Sequence, residues 1–162
     1  MAIPAWLDRR HRETYLANAP CLPVLELHAL NAWPGTGWAA RVVEPNGLAW
    51  RAIGPTGVAT ILAKLPPGLH YLFTLDLPRI DIETAVDDLV VDVGGERLER
   101  LAANRSASGV RVIWDLPARL VAAVDGDVEI SISLPRGLAS PPPFVVERTT
   151  VQISPYAHGH GT

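Results

Sequence analysis

The chain has 162 residues, the size of one domain, and can bury a sizeable core without covalent staples. Hydrophobic residues make up 48%, charged residues 19%, and the formal net charge is -3, a balance that offers no basic surface to nucleic acid. The single cysteine, Cys21, excludes an internal disulfide framework, and no apolar run approaches bilayer-spanning length, so no membrane insertion is expected.

The N-terminus places Arg9, Arg10 and Arg12 after a short apolar stretch, with Asp8 and Glu13 among them. A secretory leader has the opposite order, so a cytoplasmic location is expected. Residues 5–18 are predicted as the only sizeable helix, with Trp6, Leu7, Tyr15 and Leu16 as its apolar positions and Pro20 and Pro23 closing it. Residues 20–36 read as irregular, except for one short strand where Leu25, Leu27 and Ala29 alternate with Glu26 and His28. Residues 1–36 thus read as an N-terminal appendage.

From Gly37 a period of two is sustained. Ala59, Ile61, Ala63 and Leu65 form one alternating set, and Tyr71, Phe73, Leu75 and Leu77 a second. Leu89, Val91 and Val93 form a third, Val110, Val112 and Trp114 a fourth, and Val128, Ile130, Ile132 and Leu134 a fifth. Successive strand side chains point to opposite faces, so each run offers one apolar face to a core. Pro66-Pro67-Gly68, Gly94-Gly95 and Asp125-Gly126 fall between the runs, and Gly94-Gly95 predicts a tight hairpin. Further strands near 37–43, 48–53, 97–102 and 144–154 bring the number to about eight or nine. A short helical turn is expected after Asp115, a Pro-rich loop from Pro135 to Pro143, and a loose tail over 157–162. The fold expected is therefore all-β: an antiparallel β-sandwich or jelly-roll over 37–156 with a short N-terminal helix.

Catalytic patterns are absent from the sequence. Ser106-Ala-Ser108-Gly does not match a nucleophile elbow, and no Gly-rich phosphate loop opens a helix. His158 and His160 are the only close-set histidines, and they lie in the tail. Asp87-Asp88 and Asp125-Gly-Asp127 could offer oxygens to calcium, but such acidic turns are commonly just solvated. His70 has no second histidine nearby, as a cupin-type metal site would need. No catalytic residue, metal ligand or cofactor is assigned, and the chain reads as a non-enzyme.

The tryptophans carry more information. Trp33, Trp38 and Trp50 cluster in sequence, and indole faces stack on the apolar faces of sugar rings. Arg41, Glu44 and Arg51 lie close to them in sequence and could bind sugar hydroxyls. The six are candidate glycan-binding residues, and the alternative is that the tryptophans fill the core. Trp114 falls on the inward face of its strand and reads as core.

Gly37-Trp38, Glu44, Trp50-Arg51 and Gly54-Pro55-x-Gly-x-Ala59, followed by Leu89-Val-Val-Asp-Val-Gly94, resemble the opening and a hairpin strand of β-sandwich modules found beside bacterial glycosyltransferases. Leu116-Pro117-Ala118-x-Leu120 to Asp125-Gly126, then Val128-x-Ile130-x-Ile132, resembles their later turn and strand. The segment Glu147-Arg148-Thr-Thr-Val-Gln-Ile departs from their charged stretch before the last strand, and these 162 residues contain no glycosyltransferase domain. The resemblance implies a jelly-roll with an accessory role toward a glycan or a glycan-processing enzyme, and transfers no catalytic residue. A second expectation is a structural or assembly protein, a homo-oligomer or part of a larger complex. Its motive is the apolar outward positions Val58, Leu62, Leu72, Val90 and Ile113.

Overall fold

A computed structural model describes residues 5–80, 83–134 and 143–155. The chain opens with α1 (Ala5–Asn18), where expected. The Asn18 side chain donates to the Thr14 carbonyl at 2.8 Å and the Ala19 amide to the Tyr15 carbonyl at 2.8 Å, which satisfies acceptors of the last turn before Pro20 stops it. No helix among the described residues is long and apolar enough to cross a membrane.

The rest is a β-sandwich. One sheet has five strands in the order β1 (Leu25–His28), β13 (Arg148–Ile153), β5 (Tyr71–Leu77), β10 (Gly109–Leu116), β9 (Arg100–Ser106). The other has four, in the order β4 (Val58–Lys64), β11 (Asp127–Ser133), β7 (Val90–Val93), β8 (Glu96–Arg97). All their pairings are antiparallel. Two small ribbons flank them: β2 (Val42–Val43) with β3 (Ala49–Trp50), and β6 (Arg79–Ile80) with β12 (Phe144–Val145). Two short helices, α2 (Glu83–Asp87) and α3 (Ala118–Ala123), join strands of different sheets.

The predicted alternation decides which faces meet. Ala59, Ile61 and Ala63 of β4, Val128, Ile130 and Ile132 of β11, and Val91 and Val93 of β7 form one buried cluster with Tyr71, Phe73, Leu75 and Leu77 of β5 and Val110, Val112 and Trp114 of β10. Fully burying each large side chain contributes roughly 1.5–3 kcal/mol. The Gly94-Gly95 hairpin forms as expected. Both residues have positive φ, 61° and 83°, the backbone that a two-residue turn between right-twisted strands requires.

Residues 25–36 join the sandwich itself. Leu25–His28 is the edge strand of the larger sheet, and Leu25 and Leu27 pack against the core. Residues 34–36 then seal the outer edge of β4: the Thr60 amide donates to the Thr36 carbonyl and the Leu62 amide to the Pro34 carbonyl, both at 2.8 Å. A Cβ on Gly35, at φ 139°, or on Gly37, at φ 83°, would fall on the carbonyl oxygen of Thr60 or Val58. Only glycine lets this segment approach so closely. The period-two signal missed it because an edge-sealing loop has no apolar face to alternate.

The outer face of the four-stranded sheet carries α1. Arg12 pairs with Glu129 at 3.0 Å, and Lys64 Nζ donates to the Leu16 carbonyl at 2.9 Å, a cation on a helix C-terminus. Of the five outward apolar positions, Leu62 and Leu72 are buried within the chain, Val90 and Ile113 are half-buried, and only Val58 is exposed.

Candidate functional site

Because Phe73, Leu75 and Leu77 enter the core, Leu72, Thr74 and Asp76 point the other way, onto the outer face of the five-stranded sheet. Strand register extends Asp76 into a polar rung. Asn104 lies opposite Arg111, Arg111 opposite Asp76, Asp76 opposite Arg148, and Arg148 opposite His28. Five strands thus contribute one polar side chain each to a single row.

Within the row, Arg111 and Asp76 are bonded to each other. Arg111 Nε donates to Asp76 Oδ1 at 2.7 Å, with a second, longer contact from its Nη2 to Oδ2 at 3.4 Å. Those hydrogen bonds, and then the charge of Asp76, hold the guanidinium above the usual arginine range. Arg148 Nη1 reaches Glu26 at 3.4 Å, while its Nε is buried with no hydrogen-bond partner. His28 Nδ1 accepts the Leu30 amide at 3.2 Å, which places the ring proton of the neutral tautomer on Nε2, 3.8 Å from Glu147 Oε2. The Glu147 amide donates to the Asp76 carbonyl at 2.9 Å, which fixes the Glu147 backbone beside the middle of the rung.

A cavity of about 390 Å³ opens here, lined by Asp76, Arg111, Arg148 and Glu147 from the sheet and by Asn104, Arg105, Ser106 and Ser108 from the β9–β10 hairpin. Ser106 Oγ accepts the Ser108 amide at 3.3 Å and meets Ser108 Oγ at 3.0 Å, which orders the hairpin tip. A cavity of about 410 Å³ lies elsewhere, between Asp87, Leu89, Val91 and the segment Arg97–Arg100, over Trp114. Its base is core side chain, and Arg100 beside it is tied to the Val86 carbonyl at 3.2 Å.

The six residues singled out from sequence fall into two adjoining groups. Trp33 and Trp38 meet edge to face, with centroids 4.6 Å apart, and both pack partly against the core. Trp33 Nε1 donates to the His28 carbonyl at 2.7 Å and Trp38 Nε1 to the Thr60 carbonyl at 3.0 Å. The Arg51 guanidinium stands 5.4 Å above the Trp33 ring and donates to the Asn31 carbonyl at 3.0 Å. Burial, and then the charge of Arg41, push Arg51 below the usual arginine range. Arg41 itself donates to the Leu30 carbonyl at 2.8 Å. In the second group Trp50 lies under Arg79, 5.1 Å from its centroid, and Arg79 pairs with Glu44 at 2.8 Å. Trp50 Nε1 is buried without a partner.

These groups present no single flat aromatic platform, because Trp33 meets Trp38 edge to face and each of Trp33 and Trp50 has a guanidinium over its ring. They do abut the rung. Trp33 is bonded to the His28 carbonyl, and Arg51 exchanges two backbone hydrogen bonds of 2.8 Å with Val146, beside Glu147. Sequence reasoning missed Asp76, Asn104, Arg111 and Arg148. Their signal was present: Asp76 and Arg111 are the polar members of alternating runs. Only strand register joins them.

Among the described residues, no three His, Cys, Asp or Glu side chains gather as metal ligands, Asp87-Asp88 and Asp125-Gly-Asp127 included. His158 and His160 lie outside the described residues. His70 pairs with Asp115 on the outer face of the five-stranded sheet, and Cys21 is exposed. No protein-family model matches the chain, and no curated protein matches its sequence.

Proposed function

We propose that this chain is a non-catalytic β-sandwich module that binds glycan, alone or in support of a polysaccharide-processing enzyme. The observation that carries the reading is the polar groove on the outer face of the five-stranded sheet, about 390 Å³ in volume. That is the lower end of the size range of small-molecule sites. Its lining of Asp, Glu, Asn, Arg and Ser offers the mixed donors and acceptors that sugar hydroxyls need. The Asp76 carboxylate is already engaged by Arg111, which suits holding a ligand rather than cleaving one. The tryptophan groups serve this groove by fixing the segments that carry His28 and Glu147. The resemblance to modules beside bacterial glycosyltransferases supports the same reading.

Calorimetric titration against a panel of bacterial-type oligosaccharides tests it. The expected result is binding to at least one oligosaccharide, weakened about tenfold or more by Asp76→Ala or Asn104→Ala through lost hydrogen bonds. A melting scan of each variant separates loss of binding from loss of fold. Absence of binding across the panel, or binding indifferent to both substitutions, overturns the proposal.

A second reading, assembly through protein contacts, has one observation in its favour. Strand β9 ends the five-stranded sheet, and Leu101 on it is exposed. An exposed sheet edge is a template for another strand. Light scattering that finds only monomer at high concentration excludes the self-associating form.

A further inference from the structure

We infer that His28 is a proton-operated switch beside the groove: its neutral ring holds the Leu30 amide, and its protonated ring gives that bond up and takes the Glu147 carboxylate. The inference rests on the contacts of one ring and is independent of what the groove binds.

The turn that follows β1 is built on the backbone of His28. The His28 amide donates to Asn31 Oδ1 at 2.9 Å, and the His28 carbonyl accepts from the Asn31 amide at 2.8 Å and from Trp33 Nε1 at 2.7 Å. These bonds do not involve the ring, so they hold in either protonation state. The ring adds one more, from the Leu30 amide to Nδ1 at 3.2 Å. That bond is different in kind, because Nδ1 accepts only while it carries no proton. Protonation would set a ring N–H against the Leu30 N–H, two donors with no acceptor between them.

The other ring nitrogen makes the opposite demand. Nε2 stands 3.8 Å from Glu147 Oε2, too far for a hydrogen bond but close enough for a charged ring to attract the carboxylate. The Glu147 backbone is fixed on both sides, its amide on the Asp76 carbonyl at 2.9 Å and its carbonyl on the Ala29 amide at 2.8 Å. Its carboxylate accepts no hydrogen bond among the described residues. The His28 and Glu147 side chains are 31% and 34% exposed, so solvent protons reach the ring and the carboxylate has room to turn. The ring therefore has two alternative partners, and its charge decides between them. Glu147 lines the groove, so the exchange turns an open carboxylate of the lining into a paired one.

Four other charged groups surround this pair. Arg148 lies opposite His28 in strand register and reaches Glu26 of β1 at 3.4 Å. Arg41 and Arg51 donate to the Leu30 and Asn31 carbonyls at 2.8 and 3.0 Å. Carboxylates and guanidinium groups ordinarily keep their charge between about pH 5 and pH 8, where imidazole ordinarily changes its own. The set has one member of the switching kind.

Nuclear magnetic resonance on the labelled full chain, from about pH 8 down to about pH 5, tests this. At the high end the ring nitrogen shifts should show the proton on Nε2 with Nδ1 accepting. As the pH falls, the Leu30 amide signal should lose its hydrogen-bonded shift along the same curve as the ring. The Glu147 carboxyl carbon should follow that curve too. His28→Asn places an amide oxygen close to the position of Nδ1, so it should keep the Leu30 bond and abolish its pH dependence. Glu147→Gln should move the ring titration to lower pH, because the carboxylate no longer favours the charged ring. A neutral ring protonated on Nδ1 overturns the inference. So does a Leu30 amide that ignores the ring, a ring that does not titrate in this window, or a titration unmoved by Glu147→Gln.

Discussion

Gly35 shows how one residue can hold a sheet edge closed. Its φ of 139° lies where side chains rarely go, and its Cα faces the Thr60 carbonyl with no room for a Cβ. Gly35→Ala should therefore destabilise the fold by about 3 kcal/mol, combining backbone strain with displacement of the segment. Urea unfolding followed by tryptophan fluorescence measures it, and a change below about 0.5 kcal/mol would mean that the segment does not seal β4. The residue was visible in the sequence only as part of Pro34-Gly35, a loop signal. Nothing local says that the loop must touch β4, because the contact joins residues far apart along the chain. The tryptophans illustrate the same boundary. Trp114 was legible as core because it sits on a regular strand, and it is 1% exposed. Trp33 and Trp38 sit on irregular backbone, where spacing assigns no face.

Secondary-structure elements were the best-read level of this protein. The strands at 58–64, 71–77, 109–116 and 127–133 each carry a period strong enough to place them, and the helix at 5–18 was placed by its few apolar positions and the prolines that close it. The short strands Val42–Val43 and Phe144–Val145 are two residues each, too short to show any period. Helix α1 is mostly polar, and among its described side chains it is attached by Leu16, which is 8% exposed, and by the contacts with Lys64 and Glu129. Leu16→Ala should cost about 2 kcal/mol, the low end for a buried leucine, and increase hydrogen exchange in α1 more than in β5. Equal protection loss in both elements would show that α1 does not open independently. The candidate site belongs to this scale as well. Its polar members were each readable, but the rung they form depends on pairing five strands in register.

At the scale of the whole molecule the two sheets are used differently. The four-stranded sheet gives its outer face to α1 and its β4 edge to residues 34–36, while the five-stranded sheet presents the polar groove. The core depends on pairings between distant parts of the chain, such as β1 with β13 and β4 with β11. Topologies dominated by such pairings fold slowly, so refolding should relax on the order of milliseconds to seconds. Stopped-flow tryptophan fluorescence reads this directly, and complete refolding within microseconds would contradict it.

The last main strand occupies a central place. Strand β13 lies between β1 and β5, so residues 25–28 have no sheet to join until residues 148–153 exist. A chain still being synthesised therefore carries its larger sheet in two unconnected parts, with the Arg148 position of the groove empty. Synthesis must pass residue 153 before either the larger sheet or the proposed site can form. A product cut short before Arg148 has neither, however complete the strands already made.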